Sequence, residues 1–157
     1  MRKALLALVL VVTVSTTAQA RLGETPDQLV ARYGTPLSEK DQKAEGDKIS
    51  LADVIFQKGG FQIEVTVTDG ISVCETFKKL NGEPVTLAEV RILLTANGQG
   101  FEWDEPHGNG VARAWTRDDG ASATLGQDGS VTIKSKELMS KEAIAKKLEA
   151  KPSLDGF

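Results

Sequence analysis

The sequence predicts an α+β fold of two tandem repeats, each a helix followed by a three-stranded meander. Together the repeats are expected to form one antiparallel sheet with the helices on one face, followed by a C-terminal helix. A short helix with its own start and stop signals occurs twice, and strand-like segments separated by glycine turns follow each copy. The helix starts and turns also recur at an offset of about 60 residues, which indicates internal repetition.

The first 20 residues have the composition of a secretory signal peptide. Met1-Arg2-Lys3 is basic, residues 4–14 form an apolar run, and Ala18-Gln19-Ala20 resembles a cleavage site. A membrane-spanning helix needs about 20 apolar residues, and this run is shorter. No cysteine follows the cleavage site to carry a lipid anchor. The sequence therefore predicts cleavage near Ala20 and a periplasmic or secreted protein that does not span the membrane.

The first repeat, residues 21–79, begins with a helix, and residues typical of helix caps mark both of its ends. Thr25 is a suitable N-cap, Pro26 fits the first helical position, and Gln28 completes a capping box. Gly34 and Pro36 end the helix. Residues 37–48 are almost entirely polar, so we expect a solvated connection there.

Three strands are expected after that connection, at residues 51–57, 61–68 and 71–79. Apolar and polar residues alternate in the second of them, which predicts a strand buried on one face. Lys58-Gly59-Gly60 and Asp69-Gly70 are the turns. Cys74, the single cysteine of the chain, alternates with the apolar residues of its strand. Its side chain is therefore expected on the solvent-facing side of the sheet. We interpret it as a small strand residue, with a thiol that pairs with another chain as the alternative.

The second repeat, residues 80–135, uses the same signals. Thr86 and Glu89 form a capping box for a helix over 87–95, and strands are predicted at 111–117, 121–126 and 130–135. Apolar side chains cover much of the helix, which predicts a central position: Leu87, Val90, Ile92, Leu93 and Leu94.

The register of the repeat comes from three matched pairs of positions: Gly60 with Gly120, Asp69-Gly70 with Asp128-Gly129, and Thr25 with Thr86. Residues 136–157 have no counterpart in the first repeat. Ser140 is expected to cap a helix running to about residue 150, with Met139 and Ile144 as a hydrophobic staple. Its apolar stripe is thin, so we expect a solvated helix, with a docking helix for a partner as the alternative.

The sequence predicts no enzyme and no cofactor or metal site. His107 is the single histidine, and Asp104 and Glu105 lie near it, but a tight metal site needs three or four ligands. No G-x-S-x-G nucleophile motif is present. A formal net charge of −3 gives no basic surface for nucleic acid.

Interface hot spots favour Trp, Tyr and Arg, and these residue types mark the candidate protein-binding positions. Trp103 lies in a Gly-rich loop among charged residues, which predicts exposure. Further along the chain, Trp115 shares one face of its strand with two arginines, although core packing is an equal alternative for the tryptophan. The candidates are Trp103, Arg113, Trp115 and Arg117.

The first repeat carries the pattern Gly23-x-Thr25-x-x-Gln28-Leu29-x-x-x-Tyr33-Gly34-x-Pro36. This pattern resembles the opening motif of the small lipoprotein subunit of the outer-membrane β-barrel assembly machine, the SmpA/OmlA group. The tandem arrangement resembles the β-lactamase-inhibitory-protein fold. The resemblance implies a non-enzymatic, exported binding protein. The chain departs from these families in lacking a lipidated cysteine and in its aromatic content of 5%.

The leading hypothesis is therefore an exported, non-enzymatic domain that binds a protein partner in the cell envelope or outside the cell. A first alternative is a ligand-binding or hydrolytic domain that uses His107 and the neighbouring carboxylates. A second is a structural envelope protein that self-associates through its terminal helix.

Overall fold

The computed structural model describes residues 21–43, 50–108 and 112–149. For residues 39–43, 50–52 and 148–149 it describes the backbone alone. The predicted signal peptide, residues 1–20, lies outside the described residues.

The described chain forms a seven-stranded antiparallel sheet with three helices, which confirms the α+β class. The strand order is β1-β2-β3-β4-β7-β6-β5. Pairing of β4 with β7 therefore joins a first meander, β1–β4, to a second, β5–β7. The elements are α1 Pro26–Tyr33, β1 Ser38–Lys43, β2 Ser50–Lys58, β3 Phe61–Thr68, β4 Ile71–Lys79, α2 Leu87–Ala96, β5 Arg113–Thr116, β6 Ser122–Leu125, β7 Val131–Lys134 and α3 Lys136–Glu149.

Both predicted helix starts are confirmed by their capping hydrogen bonds. The Thr25 backbone N–H donates to Gln28 Oε1 at 2.9 Å, and the Thr86 backbone N–H donates to Glu89 Oε2 at 2.7 Å. Gly34 follows α1 with φ of 93°, a conformation that favours glycine. Each capping box satisfies backbone groups that a helix end leaves without intrahelical partners.

The solvated connection predicted at 37–48 is wrong for residues 38–43, which form strand β1. Strand β1 pairs with β2 from Ser38↔Ile55 to Lys43↔Ser50, so the first meander has four strands rather than three. An outermost strand can form from backbone hydrogen bonds to its neighbour without an apolar pattern of its own.

One face of the sheet is buried and runs without interruption across the β4–β7 junction. Directly paired residues share a face, and the row Val54, Val65, Glu75, Ile133, Ala123 crosses from β2 to β6. All five side chains are buried. The hydrophobic cluster on this face includes residues of α1 and α2 as well as of the sheet: Leu29, Val90, Leu94, Phe56, Ile63, Phe77, Trp115 and Val131.

The opposite face carries mainly polar side chains. Cys74 lies there, paired with Thr66 on β3 and Lys134 on β7, which confirms its predicted parity. Burial raises the pKa of the Cys74 thiol to about 11, so the thiol form predominates at neutral pH. Across the same face, the hydroxyls of Thr76 and Thr132 are hydrogen-bonded at 3.1 Å.

The sequence predicts a central position for α2 from its broad apolar surface, but only part of that surface is buried. Val90 and Leu94 are buried, but Ile92 is 68% exposed and Leu87 38% exposed. One side of the helix packs on the sheet and the other side faces solvent. The apolar side chains on the outer side of α2 therefore form an exposed apolar surface and do not pack into a core.

Helix α3 begins earlier than predicted, at Lys136, and Ser140 lies inside it. Ser135 takes the capping role, because its hydroxyl accepts the backbone N–H of Leu138 at 3.2 Å. The Ser135 N–H is itself held by the Val73 carbonyl at 2.8 Å. The helix therefore starts directly at the end of β7. Its Glu142 pairs at 2.7 Å with Lys134.

Candidate functional site

A groove of about 1300 Å³ opens beside α2. One wall is residues 21–24, the segment that precedes α1, and another is the loop at 98–106 that follows α2. Helix α2 contributes Leu87, Arg91, Leu94 and Thr95, and β5 contributes Arg113 and Trp115. We refer to this feature as the α2 groove.

Backbone hydrogen bonds hold the wall at residues 21–24. The Gly23 N–H donates to the Ser72 carbonyl at 2.7 Å, and the Ser72 N–H donates to the Glu24 carbonyl at 2.8 Å. On the other side, Gln99 Nε2 donates to the Leu22 carbonyl at 2.6 Å. The segment therefore connects the start of β4 to the loop after α2.

The opposite wall is positioned by pairing with β5. The Asp104 N–H donates to the Thr116 carbonyl at 2.9 Å, and the His107 N–H donates to the Ala114 carbonyl at 2.8 Å. The Trp103 indole Nε1–H donates to the Leu94 carbonyl at 2.8 Å. This loop thus covers the free edge of β5 and is attached to α2 as well.

Three of the four candidates predicted from the sequence, Trp103, Arg113 and Trp115, line the α2 groove. Trp103 and Arg113 are half-buried, and Trp115 is 7% exposed with its body in the core. Sequence reasoning missed Phe101, which is 47% exposed and also lines the groove. Its signal was an aromatic residue in a Gly-rich loop, two positions before Trp103.

The fourth candidate, Arg117, lies inside the protein with 4% exposure. Its Nη2 pairs with Asp119 Oδ2 at 2.7 Å, and its Nη1 donates to the Asn97 carbonyl. Its Cζ lies 5.6 Å from the ring centroids of both Phe101 and Trp103. Arg117 therefore supports the groove aromatics from within and is not presented to a partner.

His107 and Asp104 form a polar pair, with Nε2 and Oδ2 2.8 Å apart. The Thr116 N–H donates to Asp104 Oδ1 at 2.7 Å and lowers the pKa of Asp104. Asp104 and Glu105 line the groove, whereas the His107 side chain is 69% exposed. Within the described ranges, no three His, Cys, Asp or Glu side chains come together as a metal site.

Beside the groove wall lies a set of polar residues that we call the buried polar cluster: Glu24, Arg32, Tyr33, Glu75 and Asn97. Arg32 pairs with Glu24, and the Tyr33 hydroxyl donates to Glu75 Oε2 at 3.2 Å. Glu75 and Asn97 have no solvent exposure. Glu24 also lines the groove, so the cluster connects that wall to the core.

The cluster contains two carboxylates and one guanidinium, and the guanidinium is paired directly with Glu24. Burial raises the pKa of Glu75 to about 7, although Arg32, Tyr33 and Asn97 each lower it. Four buried side-chain atoms lack a hydrogen-bond partner within the described part of the chain: Glu24 Oε2, Arg32 Nη1, Glu75 Oε1 and Asn97 Oδ1. Sequence reasoning missed Glu75, although it occupies the alternate strand position between Val73 and Phe77 and therefore belongs to their side of the strand.

We expect the stability of the protein to fall as pH rises through neutrality. The pKa of Glu75 is raised in the folded state, so the folded state holds this proton more tightly than the unfolded state does. The resulting stabilisation is complete below the unfolded pKa and is lost as pH rises through about 7. Glu75 should contribute a decrease of about 2 kcal/mol in the free energy of unfolding between pH 5 and pH 8.

Urea unfolding at constant ionic strength measures this contribution. The Glu75→Gln variant should lose that part of the pH dependence, whereas Glu64→Gln, at an exposed position on the opposite face, should retain it. A Glu75→Gln profile that parallels the wild type would contradict the assignment.

None of the three helices, within the residues described, combines the length and hydrophobicity needed to cross a bilayer. Comparisons of the chain with protein-family models, curated proteins and solved structures found no match.

Proposed function

We propose that this chain is an exported, non-enzymatic protein-binding domain of the cell envelope and that the α2 groove is its binding surface. One observation carries the proposal: Trp103, Arg113 and Trp115, selected from the sequence as partner contacts, line a single groove. They come from two separate segments of the chain, which pairing of the loop with β5 brings together.

The chemistry of the groove favours a protein partner. Phe101 and Leu87 present exposed apolar surface there, at 47% and 38% exposure. Arg91 and Arg113 make no ion pair within the described residues, so their guanidinium groups are available to a partner. Aromatic and arginine side chains around a depression are typical of interface hot spots.

The export and duplication parts of the proposal have separate support. The pattern of residues 1–20 favours export. Both α1 and α2 begin with a capping box and precede an antiparallel meander, and β4–β7 pairing joins the two meanders. This order supports an ancestral duplication and a scaffold similar to the assembly-machine lipoprotein and the β-lactamase-inhibitory protein.

A ligand-binding or hydrolytic site on His107 is the second candidate, favoured by the 2.8 Å contact with Asp104. That function predicts loss of ligand-dependent thermal stabilisation in His107→Ala. It also predicts that groove substitutions distant from the imidazole leave that stabilisation in place. A protein-binding groove predicts the opposite result: a substitution at Phe101 should weaken binding, whereas His107→Ala should not.

Partner affinity tests the proposed function. A partner captured from an envelope extract by the tagged chain is purified and titrated against variants of the same chain. Phe101→Ala should weaken binding about 30-fold, the loss expected for a hot spot of about 2 kcal/mol. Ile144→Ala on α3, where Ile144 is 59% exposed, is the matched control and should bind as the wild type does.

Thermal melts of both variants separate lost contacts from lost folding. Loss of binding in Ile144→Ala with full binding by a folded Phe101→Ala would contradict the proposal and favour association through α3.

A further inference from the structure

We propose that Gln99 is a positioning residue of the α2 groove: it adopts a strained backbone conformation in which its side chain joins the two walls and fixes the place of Phe101. The effect on partner binding rests on the proposed function, whereas the positioning itself is measurable in the chain alone. The backbone conformation of Gln99 and its side-chain hydrogen bond are the two observations that carry the proposal.

The backbone conformation of Gln99 is unusual for its residue type. Gln99 has φ of 53° and Gly100 has φ of 86°, and the Phe101 N–H donates to the Gly98 carbonyl at 2.8 Å. Positive φ at both central residues is typical of a type I′ turn, in which glycine, asparagine and aspartate predominate. The other non-glycine residue with positive φ in the described part of the chain is Asp69, which is one of these types. The turn itself therefore does not favour glutamine.

The side chain of Gln99 gives a reason for its presence in this turn. Its Nε2 donates to the Leu22 carbonyl at 2.6 Å and so connects the loop after α2 to the segment before α1. Both residues line the α2 groove. Asparagine fits the turn better but is one carbon shorter, and glycine has no side chain, so neither provides this hydrogen bond from the same backbone position. Backbone outliers that their surroundings impose are typical of functional positions.

The hydrogen bond joins two segments that are anchored separately. Leu22 is buried, and the N–H of the next residue, Gly23, donates to a carbonyl of β4 at 2.7 Å. On the other side, the turn places Phe101, whose ring centroid lies 5.6 Å from Arg117 Cζ. Gln99 therefore ties the exposed aromatic residue of the groove to the opposite wall. A side chain ordered in this way before binding lowers the entropy lost on binding.

NMR relaxation of the backbone amides tests the positioning without a partner. Gln99→Met keeps a side chain of similar length and removes the donor. The order parameters of Gly100 and Phe101 should be about 0.85 in the wild type and should fall below about 0.6 in this variant. They report motion within the native state, so a loss of stability alone does not change them. Asp69→Ala, at the other positive-φ position and outside the groove, is the matched control and should leave them unchanged.

A second variant separates the hydrogen bond from the backbone strain. Gln99→Asn relieves the strain, because asparagine tolerates positive φ, but its side chain is too short to reach Leu22. Its urea midpoint should therefore exceed that of Gln99→Met. The partner used for the Phe101 measurements should nevertheless bind both variants about tenfold more weakly than the wild type, the factor expected when one more side chain must be ordered on binding.

Order parameters of Phe101 that stay unchanged in Gln99→Met, or that fall equally in Asp69→Ala, would overturn the proposal. Wild-type partner affinity in Gln99→Asn would overturn it as well, because a relaxed turn without the hydrogen bond would then suffice. If the groove binds no partner, the proposed function fails, but a loss of order at Phe101 in Gln99→Met still supports the positioning role. The two failures are therefore distinguishable.

Discussion

Replacement of Arg32 by Met should lower the free energy of unfolding by about 3–5 kcal/mol at pH 8, the loss expected when one partner of a buried ion pair is removed. Arg32 is 9% exposed and is paired with Glu24, whose side chain is 14% exposed. Its removal leaves Glu24 and Glu75 without a compensating charge. Chemical denaturation at pH 8 and pH 5 measures the effect, which should shrink at the lower pH because Glu75 is then protonated and carries no charge.

Two further variants show whether the loss comes from uncompensated charge. In the Arg32→Met background, Glu75→Gln should recover part of the stability, because one of the two buried charges is then absent. Lys78→Met is the surface control. Lys78 pairs with Asp128 at 3.5 Å with more than half of each side chain exposed, so its loss should cost at most about 1 kcal/mol. Equal losses for Arg32→Met and Lys78→Met would contradict the account of the cluster.

Gly129→Ala should destabilise the protein far more than Gly70→Ala, although both glycines follow an aspartate at a turn. Both have positive φ, 76° and 80°, a conformation that costs other residues about 1–2 kcal/mol. A Cβ at Gly129 would also lie 2.7 Å from the Pro84 Cα, whereas a Cβ at Gly70 meets nothing within 4 Å. Overpacking adds about 1–3 kcal/mol, so the total for Gly129→Ala should be about 2–5 kcal/mol.

The comparison is informative because the backbone strain is nearly the same at the two positions. The difference in urea midpoint therefore measures the contact between the β6–β7 turn and the segment entering α2, where Val85 N–H donates to the Gly129 carbonyl at 2.9 Å. Similar midpoints for the two variants would show that this contact does not position α2.

The sequence predicted the elements whose signals are local. The capping residues Thr25 and Thr86 are confirmed, and strands β2 to β4 lie where alternation and the Asp69-Gly70 turn place them. Strand β1 was missed because its residues carry no apolar pattern. Its strand geometry depends on pairing with β2, a tertiary contact that local sequence does not encode.

The terminal helix shows a different limit. Ser135 and Ser140 are both able to cap a helix, and only the hydrogen bond between Ser135 and Val73 selects the first. Likewise, Ile92 and Leu94 are both large aliphatic residues of the same helix. The position of α2 on the sheet buries Leu94 and exposes Ile92.

The candidate site was predictable as a set of residue types but not as an arrangement. Trp103 and Trp115 were selected by composition, and the pairing of the loop with β5 brings them to one groove. Arg117 was selected by the same rule, yet Asp119 and the end of α2 hold it inside the protein. Glu75 was detectable, because a carboxylate at core parity between Val73 and Phe77 is a polar residue at an apolar position.

The most direct test of the central claim, that the α2 groove is the binding surface, is site-specific photo-crosslinking in the cell envelope. A photoreactive residue replaces Phe101 in the groove, Thr124 on the exposed polar face, or Ile144 on α3. We predict a discrete crosslinked partner from position 101 and none from 124 or 144. A partner that crosslinks from 124 or 144 and not from 101, or a dimer of the chain formed from 144 alone, would contradict the claim.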